Sequence, residues 1–200
     1  MANSLLTIKP FVRKLYYLYP RWRYLRKASK GVPVTVALSK GITIRLYPWG
    51  QIAEDLSICG FENAELLLTV SFLREGMNVI DVGANIGLYS ILASKVIGES
   101  GRVWAFEPSN ETYEHLLKNL SLNSAGVVIP NKLALADISD GNILLKRSPG
   151  RRDAERYLSL HPNHPSIYQE DLADPGDSEL VKVTNLDSYM EKNLHGAKEV

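Results

Sequence analysis

Apolar positions in this chain recur in two rhythms, and the alternation between them predicts the architecture. Val34, Val36 and Leu38 alternate with small or polar neighbours, then Ile42, Ile44 and Leu46 do, with Ser39-Lys40-Gly41 between the two runs. This is the pattern of a β-hairpin. After Glu62 the rhythm becomes helical, with Leu66, Leu67, Val70 and Leu73 on one face and Gly76 as the stop. Met77 to Asp81 is a short apolar run that suits a buried parallel strand. Ile86 to Val96 carries Leu88, Ile91, Leu92 and Val96 at helical spacing; Gly101 breaks it, and Val103 to Phe106 reads as the second strand. A second helix starts near Ser109–Asn110, where Glu111 and Glu114 suit the positive end of the helix dipole. Its expected buried face is Tyr113, Leu116, Leu117 and Leu120. Val127 to Ile129 and Leu133 to Leu135 read as one third strand interrupted at Pro130. Ile143 to Leu145 and Val181 to Val183 read as an antiparallel pair, and a last short helix begins at Asp187. Strands alternating with helices of this length predict right-handed βαβ units, hence an α/β, Rossmann-like fold with a parallel sheet flanked by helices.

Two stretches break the rhythm. Residues 147–179 are punctuated by Pro149, Pro162, Pro165 and Pro175 and read as one long loop. It opens basic (Arg147, Arg151, Arg152, Arg156) and closes acidic (Glu170, Asp171, Asp174, Asp177, Glu179). The arginines read as a solvated surface or as a site for an acidic or phosphorylated ligand. His161 and His164 read as surface residues, since two histidines three apart without a nearby cysteine make a poor metal site. No metal is expected. Residues 5–30 mix Phe11, Tyr16, Tyr17, Tyr19, Trp22 and Tyr24 with basic residues, and Pro10 and Pro20 cut the segment.

Charge sharpens the reading of that N-terminal segment. The net charge of +1 hides an asymmetry: residues 1–53 hold ten Lys or Arg and no acid, while all 22 Asp and Glu follow. Two readings stand for residues 1–33: a cap packed on the domain, or a peripheral anchor on an anionic membrane or lipid-linked substrate. No apolar run reaches the length of a membrane span, and no secretory signal is read at the N-terminus. The single cysteine, Cys59, excludes an intrachain disulfide and suits a reducing compartment. A cytoplasmic protein is expected, membrane-peripheral if the basic segment is an anchor. The expected organisation is a basic aromatic segment (1–33), a hairpin and helix lead-in (34–75), and a cofactor-binding domain (76–200).

The chemistry concentrates between Val79 and Asn110. One strand ends in Asp81-Val82-Gly83-Ala84-Asn85-Ile86-Gly87, and the next ends in Glu107-Pro108, with Glu107 20 positions after Gly87. A strand running into a helix N-terminus is expected to leave backbone N–H groups free to face a ligand. Gly83 permits the tight turn, and Gly87 lets helix and strand approach. Asp81 is placed to order the turn or meet an ammonium, and Asn85 offers an amide donor and acceptor. Glu107 can accept from both hydroxyls of an unmodified ribose, and it would repel a 2′-phosphate. A nicotinamide dinucleotide ordinarily asks for G-x-G-x-x-G, but Asn85 stands where the second glycine belongs. That disfavours a pyrophosphate ligand and an NAD-dependent oxidoreductase. It favours S-adenosylmethionine, which has a ribose and an amino-acid tail but no pyrophosphate.

VIDVGANIGLYS followed by VWAFEPSNETYEHLLKNLSLN resembles the FkbM-type family of S-adenosylmethionine-dependent methyltransferases. The lead-in IRLYPWGQIAEDLSICGFENAE, the segment Asn131-Lys132-Leu133-Ala134-Leu135-Ala136-Asp137 and VTNLDSYM extend the likeness over roughly 40–146 and 180–191. The resemblance implies methylation of a hydroxyl on a sugar, glycolipid or secondary metabolite, with no nucleic-acid partner. It implies that Asp81, Gly83, Ala84, Asn85 and Gly87 form the motif around the methionine tail. Glu107 would bind the ribose, Pro108 and Ser109 would flank ribose and adenine, and Leu133 and Ala134 would line the adenine. Glu62 corresponds to an acid that approaches the cofactor. No catalytic residue is assigned. The family continues past the T-L-D segment into a fourth strand with an I-D-x-E-G-A-E-like motif, which these 200 residues do not carry. The expectation is therefore the N-terminal part of the fold. The alternative to an active enzyme is a non-catalytic fragment that at best binds the cofactor.

Overall fold

The structure is a computed structural model. It describes residues 25–27, 29–38, 41–47, 56, 63–147, 156–159 and 178–194. The aromatic N-terminal segment up to residue 24, Glu62, and the loop positions His161, His164, Arg151 and Arg152 lie outside the described residues. The chain divides into two compact units, residues 1–68 and 69–200.

In the first unit, β1 (Val34–Ala37) pairs antiparallel with β2 (Thr43–Leu46), with Val34 opposite Leu46 and Ala37 opposite Thr43. Leu38 donates its N–H to the Ile42 carbonyl at 2.7 Å, closing the hairpin. The period of two buries Val34, Ile42, Ile44 and Leu46, as the alternation predicted. Helix α1 (Asn63–Phe72) crosses the boundary between the units. Leu66, Val70 and Leu73 are half-buried, but Leu67 is 72% exposed, so it does not share their face. The stripe at 66, 70 and 73 follows the i, i+4, i+7 positions of a helix, and Leu67 stands about a quarter turn off it.

The second unit contains the predicted βαβ units. β3 (Asn78–Val82), α2 (Leu88–Ile97), β4 (Arg102–Phe106), α3 (Asn110–Leu122) and β5 (Val128–Asn131) alternate, and the strands form a parallel sheet in the order β3-β4-β5. Ile91 and Ile97 of α2, Val103 and Phe106 of β4 and Leu116 of α3 are almost wholly buried and make its core. The inward face of α3 is Thr112, Leu116, Asn119 and Leu120, while Tyr113 and Leu117 are only half-buried. The fully buried Asn119 is the surprise on that face. Its Nδ2 donates to the Ile86 carbonyl at 2.9 Å, which satisfies the burial and ties α3 to the turn after β3.

The third strand differs from expectation. Pro130 does not interrupt it; β5 runs through Pro130, which lies opposite Ala105. β5 is an edge strand of its sheet, and its bonds to β4 use the carbonyls of Val127 and Asn131. By alternation, Pro130 turns its nitrogen and carbonyl away from β4, so no ladder bond is lost. Tyr113 of α3 donates its hydroxyl to that outward carbonyl at 3.3 Å. The real break comes at Lys132–Leu133. Beyond it β6 (Ala134–Leu135) joins a second sheet, β6-β9-β7-β8, with β7 (Gly141–Arg147), β8 (Arg156–Ser159) and β9 (Ser178–Thr184).

In the second sheet β7 and β9 are antiparallel, as expected for the segments 143–145 and 181–183, and Ile143 lies opposite Val181. Part of the expected 147–179 loop is instead the strand β8, paired with Leu144–Arg147. A four-residue strand gives too few alternations to stand out between arginines and prolines. The inward face of the sheet is Ala134, Ile143, Leu145, Val181 and Val183, with Ala136 and Ile138 against it. Helix α4 (Leu186–Leu194) starts one residue earlier than expected, because Asn185 caps it: its Oδ1 accepts the Ser188 N–H at 2.7 Å. Among the described residues no helix is long and apolar enough to cross a membrane.

Candidate functional site

The carboxyl ends of β3 and β4, the start of α3, Leu133 after β5 and residues of the second sheet line a cavity of about 230 Å³. Gly83, Asn85, Glu107, Pro108, Ser109, Leu133 and Ala134 line it, so seven of the eleven positions singled out in the sequence come together here. Val82, Phe106, Thr112, Leu135 and Leu145 also line it, and sequence reasoning missed them. The ends of neighbouring parallel strands are the expected place for a ligand in such a sheet.

Glu107 lines the cleft and is only 7% exposed. Its Oε2 accepts the N–H of Asn85 at 3.0 Å, and its Oε1 accepts the N–H of Ser109 at 2.9 Å. The carboxylate thus clamps the turn after β3 to the start of α3. Beside it, Ser109 is 2% exposed, and its Oγ has no hydrogen-bond partner. An unpartnered buried hydroxyl is costly, and here it borders the cavity.

The glycine turn is more closed than the sequence suggested. Gly83 and Ala84 both donate their N–H groups to the Phe106 carbonyl, at 2.9 Å each. Asn85 N–H goes to Glu107, Ile86 N–H to the Asn85 Oδ1 at 2.7 Å, and Gly87 N–H to the Ala84 carbonyl at 2.8 Å. The expectation of free N–H groups facing a ligand fails for these five. The turn folds back onto β4, and the strand end takes the donors. The amide oxygen of Asn85 is likewise committed to its own turn. Asn85 has φ +51, a left-handed conformation that asparagine tolerates better than other side-chain-bearing residues. The position therefore keeps a glycine-like backbone while presenting a side chain.

Asp81, Ala84 and Gly87 do not line the cavity. Successive residues of a strand face opposite sides, so Val82 reaches the cleft and Asp81 turns to α2. There its Oδ2 accepts the Ser90 hydroxyl at 2.6 Å. Burial pushes the Asp81 carboxyl above its ordinary range, and the bonds to Ser90 oppose the shift in part. Ala84 is buried in the turn, and Gly87 has φ 91 against the side of α3, so both shape the turn from behind.

A second layer supports the floor. Phe106 is 1% exposed, and the ring of Tyr189 from α4 meets it edge-on at 4.8 Å and 81°. The Tyr189 hydroxyl donates to the Asn131 Oδ1 at 2.6 Å, while the Asn131 carbonyl accepts the Glu107 N–H at 3.0 Å. On the other side, Glu179 of β9 accepts the N–H of Asn110, the first residue of α3, at 2.9 Å. Among the described residues no group of three or more His, Cys, Asp or Glu is placed to hold a metal.

Comparison with known proteins places this site in context. The family model described as the methyltransferase FkbM domain matches residues 81–200. A protein-L-isoaspartate O-methyltransferase of Methanococcus maripaludis is 43% identical over 49 residues, covering 24% of this chain and 23% of that protein. A SAM-dependent methyltransferase structure from Aquifex aeolicus is 28% identical, with a TM-score of 0.32, over 39% of this chain and 43% of that one. A SAM-dependent O-methyltransferase structure from Thermotoga maritima is 18% identical, with a TM-score of 0.36, over 57% and 47%. The chain thus spans about a quarter of the curated relative and less than half of each of these solved proteins.

Proposed function

Because this chain belongs to the FkbM methyltransferase domain family, we propose that its cleft binds S-adenosylmethionine for methyl transfer to a hydroxyl oxygen. The acceptor class is a sugar, glycolipid or secondary metabolite, following the family resemblance. The observation that carries the cofactor reading is the clamped Glu107. Both oxygens are fixed by backbone N–H groups, which holds the carboxylate rigidly among the residues that line the cavity, and a carboxylate at this strand end suits the two hydroxyls of an unmodified ribose.

Three further features fit the same ligand. The unpartnered Ser109 hydroxyl asks for a polar group in the cavity. Leu133, Ala134, Leu135 and Leu145 give an apolar end for a purine. The N–H groups from Gly83 to Gly87 are all engaged internally, so the turn offers no cradle for a pyrophosphate. That weighs against a nicotinamide dinucleotide. In this reading Gly83 and Asn85, which also line the cavity, take the amino-acid tail, and Asp81 acts through Ser90 to fix the turn. When bound, S-adenosylmethionine supplies an electrophilic methyl group on its sulfonium. The protein's task is to align an acceptor oxygen with that methyl and exclude water.

Titration calorimetry tests the cofactor reading. S-adenosylmethionine and S-adenosylhomocysteine should bind the 200-residue chain and NAD should not. Glu107→Ala should weaken binding roughly 10- to 100-fold, the range expected for hydrogen bonds to a charged acceptor. No binding by the folded protein, or equal binding by Glu107→Ala, sinks the assignment. Transfer of labelled methyl to a carboxylate or nitrogen in an acceptor panel, with none to hydroxyls, overturns the acceptor class alone.

A further inference from the structure

Leu145 lines the cleft from β7, a strand that is not part of the parallel sheet. It is 3% exposed and lies on the inward face of the second sheet with Ala134, Ile143, Val181 and Val183. Ala134 and Leu135 of the same sheet line the cleft too. The second sheet therefore supplies part of the lining of the cavity.

This part of the lining is fastened at the level of Leu145. Leu145 stands directly opposite Glu179 in the β7–β9 ladder. Opposed residues of an antiparallel pair project from the same face. Glu179 uses that direction to accept the Asn110 N–H at 2.9 Å, at the start of α3. Ser109 and Thr112, on either side of Asn110, both line the cavity. The carboxylate suits a helix N-terminus, where unpaired N–H groups and the dipole favour negative charge. A long-range bond thus pins the Leu145 strand beside the residues that border Glu107.

We propose that Leu145 is a specificity-determining residue that closes the base end of the cleft and excludes purines enlarged at their outer edge. The inference rests on the cofactor reading above. In that reading Glu107 takes the ribose, which leaves the apolar lining residues Leu133, Ala134, Leu135 and Leu145 to the purine, whose exocyclic amine is on the edge farthest from the sugar. Leu145 contributes a branched side chain to that lining, and shortening it opens space without touching Glu107, Ser109 or the glycine turn.

The test compares binding of S-adenosylhomocysteine and its N6-benzyl derivative to the full chain. Wild type should prefer the parent compound. Leu145→Ala should reduce that preference by roughly tenfold or more, the scale on which pocket methylenes discriminate ligands. Leu145→Val, which removes one carbon, should shift the ratio in the same direction by less, and it guards against a fold lost in the alanine variant. A circular dichroism melt establishes that each variant is folded. An unchanged ratio in a folded variant overturns the proposal, as does a wild type that binds the two compounds equally. If wild type binds neither, the cofactor reading itself fails and takes this inference with it. A purely structural role for Leu145 would lower both affinities together and leave the ratio fixed.

Discussion

Replacing Gly87 by alanine should separate two costs that the structure places on one residue. Gly87 precedes α2 with φ 91 and ψ 17, a left-handed conformation. An L-residue held there loses about 1–2 kcal/mol from contact of its Cβ with the backbone. A Cβ at Gly87 would also lie 2.7 Å from the Cδ1 of Leu116, which is wholly buried on α3. Real Cβ atoms essentially never come so close, so the buried Leu116 side chain, α3 or the turn must shift. Overpacking of this kind costs about 1–3 kcal/mol. The expected loss for Gly87→Ala is therefore about 2–5 kcal/mol, a large share of the roughly 5–15 kcal/mol that stabilises an ordinary domain. Gly83→Ala is the control. Gly83 has φ +78, but a Cβ there meets nothing within 4 Å, so only the backbone cost of about 1–2 kcal/mol applies.

Urea unfolding at constant slope measures both losses. A third comparison isolates the contact: Leu116→Ala removes the obstructing methyl, so Gly87→Ala should cost about 1–3 kcal/mol less in that background. If Gly83→Ala and Gly87→Ala lose the same stability, or Gly87→Ala and Leu116→Ala are additive, the steric argument is wrong. The glycine turn would then be held by backbone conformation alone.

Other outcomes follow from the same geometry. Asn119→Ala should destabilise by roughly 2–4 kcal/mol in a urea melt, because it empties buried volume and strands the Ile86 carbonyl without its donor. Native-state hydrogen exchange should show the turn at residues 83–87 opening more readily in that variant. Tyr189→Phe keeps the edge-on contact with Phe106 and loses only the bond to Asn131, so it should cost about 0.5–1.5 kcal/mol. A larger loss would mean that α4 does more than buttress the floor. Asp81→Asn should raise the melting temperature of the ligand-free chain at neutral pH. Burial raises the Asp81 pKa in the folded state above its unfolded value, so the folded state binds this proton more tightly. That group's contribution is fully present below the unfolded pKa and is lost as pH rises through the folded one. The gain from Asp81→Asn should accordingly vanish as the pH falls below the ordinary carboxylate range. A variant less stable than wild type at neutral pH would show that the bond to Ser90 outweighs burial.

The legible parts of this protein are those that one segment can decide. Alternating positions placed the hairpin at 34–46 and the paired segments 143–145 and 181–183, and helical spacing placed α2 and α3, because each periodicity records one buried face. Gly83, Asn85 and Glu107 announced the site through residue type at strand ends, and they do meet at one cleft. Other features depend on which distant groups meet. Pro130 reads as a break until β5 is known to be an edge with its nitrogen turned outward. Asn119 is not among the apolar positions that mark the buried face of α3, and its burial follows from the Ile86 carbonyl that takes its donor. Asp81 left the cleft because strand alternation aims it at Ser90, and the turn's N–H groups closed because the Phe106 carbonyl took two of them. Leu145 entered the cleft through a sheet formed by strands up to 50 residues apart in the chain. Patterns along a segment say which face is buried; the tertiary structure alone chose the partners of buried polar atoms and the walls of the cavity.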